Sequence, residues 1–64
     1  MMFIVILVLT FSDGSVVQKK GVTAPSFTEC VQQIVAWKDE MRAKYKDQTN
    51  PKPSTFITGC SKKE

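Results

Sequence analysis

The chain opens with eleven almost wholly apolar residues, MMFIVILVLTF, and this run constrains the fold more than any other segment. A membrane-spanning helix needs about 20 apolar residues, roughly twice this length. A signal peptide needs a basic region first, and no Lys or Arg precedes Lys19. The run is rich in Ile and Val and ends at the turn sequence SDGS. We therefore predict a buried strand over residues 2–11 of a cytoplasmic protein, with a signal peptide or membrane insertion as the alternatives.

The second predicted strand returns from this turn over residues 15–22. Asp13-Gly14 favours a two-residue hairpin loop, which sets the register between the two strands. That register predicts four pairs: Phe11 with Val16, Leu9 with Gln18, Leu7 with Lys20, and Val5 with Val22. The second strand is polar on both faces, as suits a sheet edge, whereas the first is apolar on both faces, as suits the centre.

One long helix is predicted over residues 27–46. Ser26 and Glu29 have the spacing of a capping box, the signature of a helix N-terminus. At 100° per residue, the apolar side chains form one stripe: Phe27, Cys30, Val31, Ile34, Trp37, Met41 and Tyr45. Pro51 and Pro53 cannot continue a helix.

A third strand is predicted over residues 54–60, followed by a charged tail, residues 61–64, that we expect to fray. The element order is therefore β-β-α-β. A right-handed crossover places the third strand beside the first, giving strand order 2-1-3. The predicted fold is a single α+β domain over residues 1–64, a three-stranded antiparallel sheet with one helix on one face.

The composition argues against catalysis and against metal or cofactor binding. The chain has no His, the commonest general base and metal ligand, and its two Cys cannot build a structural zinc site alone. No pair of its six acidic residues has a reason to converge in a pocket. We expect a non-enzymatic protein without a cofactor.

Cys30 and Cys60 are predicted to lie at the same end of the fold, both facing the core. Two outcomes are open. A disulfide would close a loop of about 30 residues and stabilise a small domain substantially. In a reducing cytosol the two residues would instead be buried thiols.

The uncovered face of the sheet is the most informative functional feature. One helix covers one face only, so apolar side chains on the other remain in water. The predicted set is Ile4, Ile6, Val8, Val17 and Ile57. A patch on the order of several hundred Å² is more than monomers usually leave bare. We expect this face to bind a protein partner or a second copy of the chain.

A basic flank of the helix supports an alternative function. Lys38, Arg42 and Lys46 share one side of the helix, and the chain carries a net charge of +3. This pattern is compatible with a small nucleic-acid-binding module. Asp39 and Glu40 interrupt the positive charge, and a solvated surface explains the same residues.

The chain resembles the small phage-encoded accessory proteins, the class that contains host-takeover inhibitors and anti-CRISPR proteins. The resemblance is architectural and covers the whole chain. It rests on the opening strand FIVILVLTF, the Asp-Gly hairpin, the S-x-x-E-C helix start at Ser26 and the final strand that reaches Cys60. It implies a non-catalytic protein in the cytoplasm of a bacterial host that binds and blocks a larger host complex by occluding its surface.

Overall fold

The computed structural model describes residues 2–63. It contains strands β1 (Met2–Phe11), β2 (Val16–Lys19), β3 (Thr23–Ala24) and β4 (Pro53–Lys63), with helix α1 (Phe27–Lys44) between β3 and β4. β1 is central and antiparallel to its neighbours: β4 follows one edge over its whole length, while β2 and β3 share the other. The α+β class and the predicted strand order are confirmed. The predicted third strand corresponds to β4, which lies beside β1, and β3 is an additional short strand on the same edge of β1 as β2.

The core lies between α1 and one face of β1. Val5, Leu7, Leu9 and Phe11 alternate along the strand and are all buried. The rest of the core is Ala24, Cys30, Trp37 and Met41. Because side chains alternate across a strand, the even-numbered residues of β1 point away from the helix.

The register between β1 and β2 differs by one residue from the prediction. Leu9 faces Val17 rather than Gln18. The loop has three residues, because the Phe11 N–H donates to the Ser15 carbonyl at 2.9 Å and Gly14 takes the left-handed conformation with φ of 88°. A Gly in this position is typical of a three-residue loop with a bulge.

This one-residue shift moves the side chains of β2 to the opposite faces. Val17 packs against the core on the helix side. The prediction that Val17 belongs to the uncovered face is therefore wrong. Val16, opposite Thr10, takes that place and is exposed.

Asp13 stabilises the loop. Its Oδ1 accepts a hydrogen bond from the Ser15 hydroxyl at 2.6 Å and another from the Ser15 N–H at 2.9 Å. The hydroxyl bond is the larger cause and the backbone bond the second, and together they lower the pKa of the Asp13 carboxyl from its ordinary value.

The predicted second strand over residues 15–22 is divided in two. β2 ends at Lys19, and β3 resumes the pairing with Ile4 opposite Thr23. One extra residue is accommodated between them, where Gly21 has φ of 73°. A bulge of this kind needs a backbone conformation that glycine adopts readily.

The other element ends also differ from the prediction. α1 ends at Lys44 with Tyr45 as its C-cap, and Ser26 caps its start by accepting from the Glu29 N–H at 3.2 Å. β4 continues to Lys63, so the expectation of a frayed tail from residue 61 is wrong for residues 61–63. The reason is that β1 offers backbone partners as far as Met2, which pairs with Lys63. Residue 64 lies outside the described residues.

Candidate functional site

The open face is the side of the sheet that α1 leaves uncovered. Its apolar side chains are Met2, Ile4, Ile6, Val8, Val16 and Ile57. Ile6 at the centre is 42 % exposed, and Ile57 on the neighbouring strand is 53 % exposed. Four of the predicted interface residues therefore meet here, namely Ile4, Ile6, Val8 and Ile57. Val16 could have been found from the sequence by testing a three-residue loop as well as a two-residue one.

The border of the open face is mainly polar, and Lys20 lines a cavity there with Ile6 and Val8. The register places hydroxyl and amide side chains around the apolar centre: Thr10, Gln18, Thr23, Thr55 and Ser61. Lys63 lies at one end, opposite Met2. Within residues 2–63, no acidic side chain is placed on this face by the register. The surface therefore suits an apolar partner with a polar or acidic border.

Cys30 and Cys60 form a disulfide, with Cα atoms 6.2 Å apart. The bond links the first turn of α1 to β4. Beside it the Phe3 and Phe27 rings meet edge to face with centroids 6.0 Å apart. Of the two outcomes that the sequence left open, the structure contains the disulfide, and it fastens the helix to the sheet at one end.

The basic flank of α1 packs on an aromatic ring. The Lys38 Nζ and the Arg42 Cζ lie 5.9 and 5.4 Å from the centroid of the Phe56 ring. Arg42 also forms an ion pair with Asp39 at 3.3 Å, but both side chains are exposed, so the pair contributes little stability. Lys38 and Arg42 are therefore held against β4.

A cavity of about 230 Å³ lies between the end of α1 and the start of β4. Leu9, Met41 and Phe56 contribute apolar surface, and three cations line it as well: Arg42, Lys46 and Lys52. No acidic side chain among residues 2–63 lines it. This cluster suits an anion with an apolar or aromatic body. Arg42 and Lys46 belong to the predicted basic flank. Sequence reasoning missed Lys52 and Phe56, because they follow the helix in a separate segment and meet it only in the folded chain.

Helix α1, the one helix within residues 2–63, is not long and apolar enough to cross a membrane. The same residues hold no group of three or more potential metal ligands.

No family model, curated protein or solved structure matches this chain.

Proposed function

We propose that the protein is a non-catalytic binding protein that covers a surface of a partner protein with its open face, as an inhibitor or adaptor does. The observation that carries this proposal is the exposure of Ile4, Ile6, Val16 and Ile57 on one sheet face. Together with their apolar neighbours on the open face, these side chains expose apolar surface on the order of 500 Å². This area is at the upper end of the largest apolar patches that monomers expose. Burying it against a partner supplies affinity through the hydrophobic effect.

The chemistry of the open face defines the partner. An apolar centre with a polar border, Lys20 beside β2 and Lys63 at one end, fits an apolar protein surface whose own border is polar or acidic. The resemblance to phage accessory proteins adds a finer proposal. The partner is then a larger complex of a bacterial host, and the bound protein blocks that complex by occlusion.

The test uses two lysine variants with the same added charge. Ile6→Lys places a cation at the centre of the open face, and Gln32→Lys places one on the exposed outer side of α1. A partner captured from bacterial lysate is purified, and its affinity for each variant is measured by calorimetry. We expect Ile6→Lys to bind at least about 30-fold more weakly than wild type, as loss of a central contact does, and Gln32→Lys to bind unchanged. Equal binding by Ile6→Lys, or no protein that forms a stoichiometric complex, would contradict the proposal.

A second candidate function is the binding of single-stranded nucleic acid at the basic cavity. The observation that favours it is the position of Arg42, Lys46 and Lys52 around an apolar floor that contains Phe56. Bases stack on apolar and aromatic surfaces while phosphates contact cations. Salt distinguishes the two functions, because binding through several phosphates weakens steeply as salt rises, whereas an apolar interface changes little.

A further inference from the structure

The free edge of β4 is long, and between the register shift near Pro53 and the lysines at its end it lacks the usual protection of an edge strand. β4 pairs with β1 on one side, and within residues 2–63 no strand lies along its other side. Edge strands of monomers are commonly short, bulged or charged. β2, on the opposite edge, has four residues and is followed by Lys20 and a bulge. β4 has eleven residues, and residues 54–61 contain neither a charge nor a proline.

The register shows which backbone groups of β4 are directed outward. On the β2 and β3 side of β1, Val5 and Phe11 donate their N–H groups to Val22 and Ser15. Because peptide groups alternate along a strand, the even-numbered residues of β1 face β4. These residues pair with odd-numbered residues of β4, as Val8 does with Ile57. Beyond the register shift between Pro53 and Thr55, the outward N–H and C=O groups of β4 therefore belong to its even-numbered residues: Phe56, Thr58, Cys60 and Lys62.

An exposed apolar flank of α1 borders the same edge. Val31 and Val35 are four residues apart, so they lie one above the other on the helix, and Val35 is 54 % exposed. Lys38 and Arg42 continue this flank and lie over Phe56 of β4. The opposite flank carries Gln33, whose amide donates to the Thr23 carbonyl of β3. The two valines are thus on the side of the free edge.

We propose that two copies of the chain join antiparallel along their β4 edges, about a two-fold axis at Thr58, to form one continuous sheet. This pairing uses the outward backbone groups of both copies and forms about six N–H···O=C hydrogen bonds between Phe56, Thr58 and Cys60 of the two copies. Along β4, the Cys30–Cys60 disulfide lies on one side of Thr58 and the Trp37–Phe56 contact lies on the other. The part of α1 above Thr58 therefore lies between Cys30 and Trp37, and it contains Val31 and Val35. In the dimer these two valines face Val31 and Val35 of the second copy across the two-fold axis.

Charge disfavours one of the neighbouring registers. With Thr58 opposite its own copy, Lys62 faces Ser54 and Lys63 faces Pro53, so no lysine opposes another. Moving the axis to Ile57 would place Lys62 opposite Lys52, and like charges directly opposite are destabilising. The strand edges and the helix flanks together bury on the order of 1,000 Å², the lower limit of a specific interface.

The pairing is independent of the proposed function, because it uses an edge and leaves the open face uncovered. It also joins the open faces of the two copies side by side, with Ile57 next to Gly59 of the second copy. A symmetric partner surface then meets twice the apolar area.

Light scattering on the full chain tests the pairing with variants on different surfaces. Wild type is expected at twice the chain mass of 7.2 kDa. Thr58→Pro removes an outward N–H without breaking the ladder to β1, and Val35→Lys places a charge beside the axis. We expect each to raise the dimer dissociation constant at least about 30-fold. Ile6→Lys and Gln32→Lys are the controls and should remain dimeric. A monomeric wild type, or a dimer lost in Ile6→Lys alone, would overturn the proposal.

Amide hydrogen exchange gives a readout that does not depend on the folding of a proline variant. In the wild-type dimer the N–H groups of Phe56, Thr58 and Cys60 should exchange slowly, because they bond to the second copy. In Val35→Lys, and on dilution of wild type, they should exchange rapidly while those of Ile57 and Gly59 stay protected. Rapid exchange of the three amides in a wild-type dimer would show that the copies join elsewhere.

Discussion

Leu7→Lys is expected to unfold the chain, whereas Ile6→Lys, at the adjacent position of the same strand, should leave it folded. Leu7 is 2 % exposed beneath α1, and Ile6 is 42 % exposed on the open face. Loss of the leucine and burial of an unpaired ammonium destabilise by about 3–5 kcal/mol. That is comparable with the total stability of a 64-residue domain, about 3–10 kcal/mol.

Circular dichroism and guanidinium titration of both variants measure this difference. The two variants carry the same charge on neighbouring residues, so each controls for the other. Ile6→Lys should unfold within about 1 kcal/mol of wild type, as exposed substitutions usually do. Equal stability of the two variants would contradict the assignment of faces, and the reverse order would show that the faces are exchanged.

Reduction of the Cys30–Cys60 disulfide is expected to lower the free energy of unfolding by about 3–4 kcal/mol. The bond closes a loop between residues 30 positions apart, and opening it restores conformational freedom to the unfolded chain. The guanidinium midpoint of wild type should therefore fall sharply when reductant is added. The double variant Cys30→Ala, Cys60→Ala is the control, because its midpoint should not respond to reductant.

Two results would contradict this expectation. Equal midpoints for oxidised and reduced wild type would mean that the bond contributes no stability. Mainly intermolecular disulfides on a non-reducing gel would contradict the position of α1 on the sheet, which brings Cys30 and Cys60 of one chain together. Alkylation of thiols in intact cells adds a test of location, since disulfides are rare in a reducing cytosol.

The main layers of the fold were predictable because their signals are local and repeated. A strand that is apolar on both faces indicates a central position, and β1 has that position. The apolar stripe of the helix contains Cys30, Trp37 and Met41, the three residues of α1 that are buried. Each of these inferences rests on several residues that agree.

The details that differ depend on single residues or on distant partners. Gly14 suits the second position of a two-residue loop and the third of a three-residue loop equally well, yet the choice decides whether Val16 or Val17 is exposed. The length of β4 depends on pairing with β1, about 50 residues away in sequence, which strand propensity does not encode. The basic cavity likewise combines a helix end with Lys52, so its residues share no local pattern.

The pairing of β1 with β4 also determines when the chain can fold during synthesis. β1 is translated before its edge partner β4, so Met2 can pair with Lys63 only after the helix between them has been made. Before β4 is made, the apolar strand β1 has one edge without a hydrogen-bonded neighbour and one face exposed to water. Contacts between such distant residues slow folding, and an uncovered apolar strand is prone to aggregate. The chain therefore passes through its most aggregation-prone state before β4 is available, and the pairing of β4 with β1 completes the sheet.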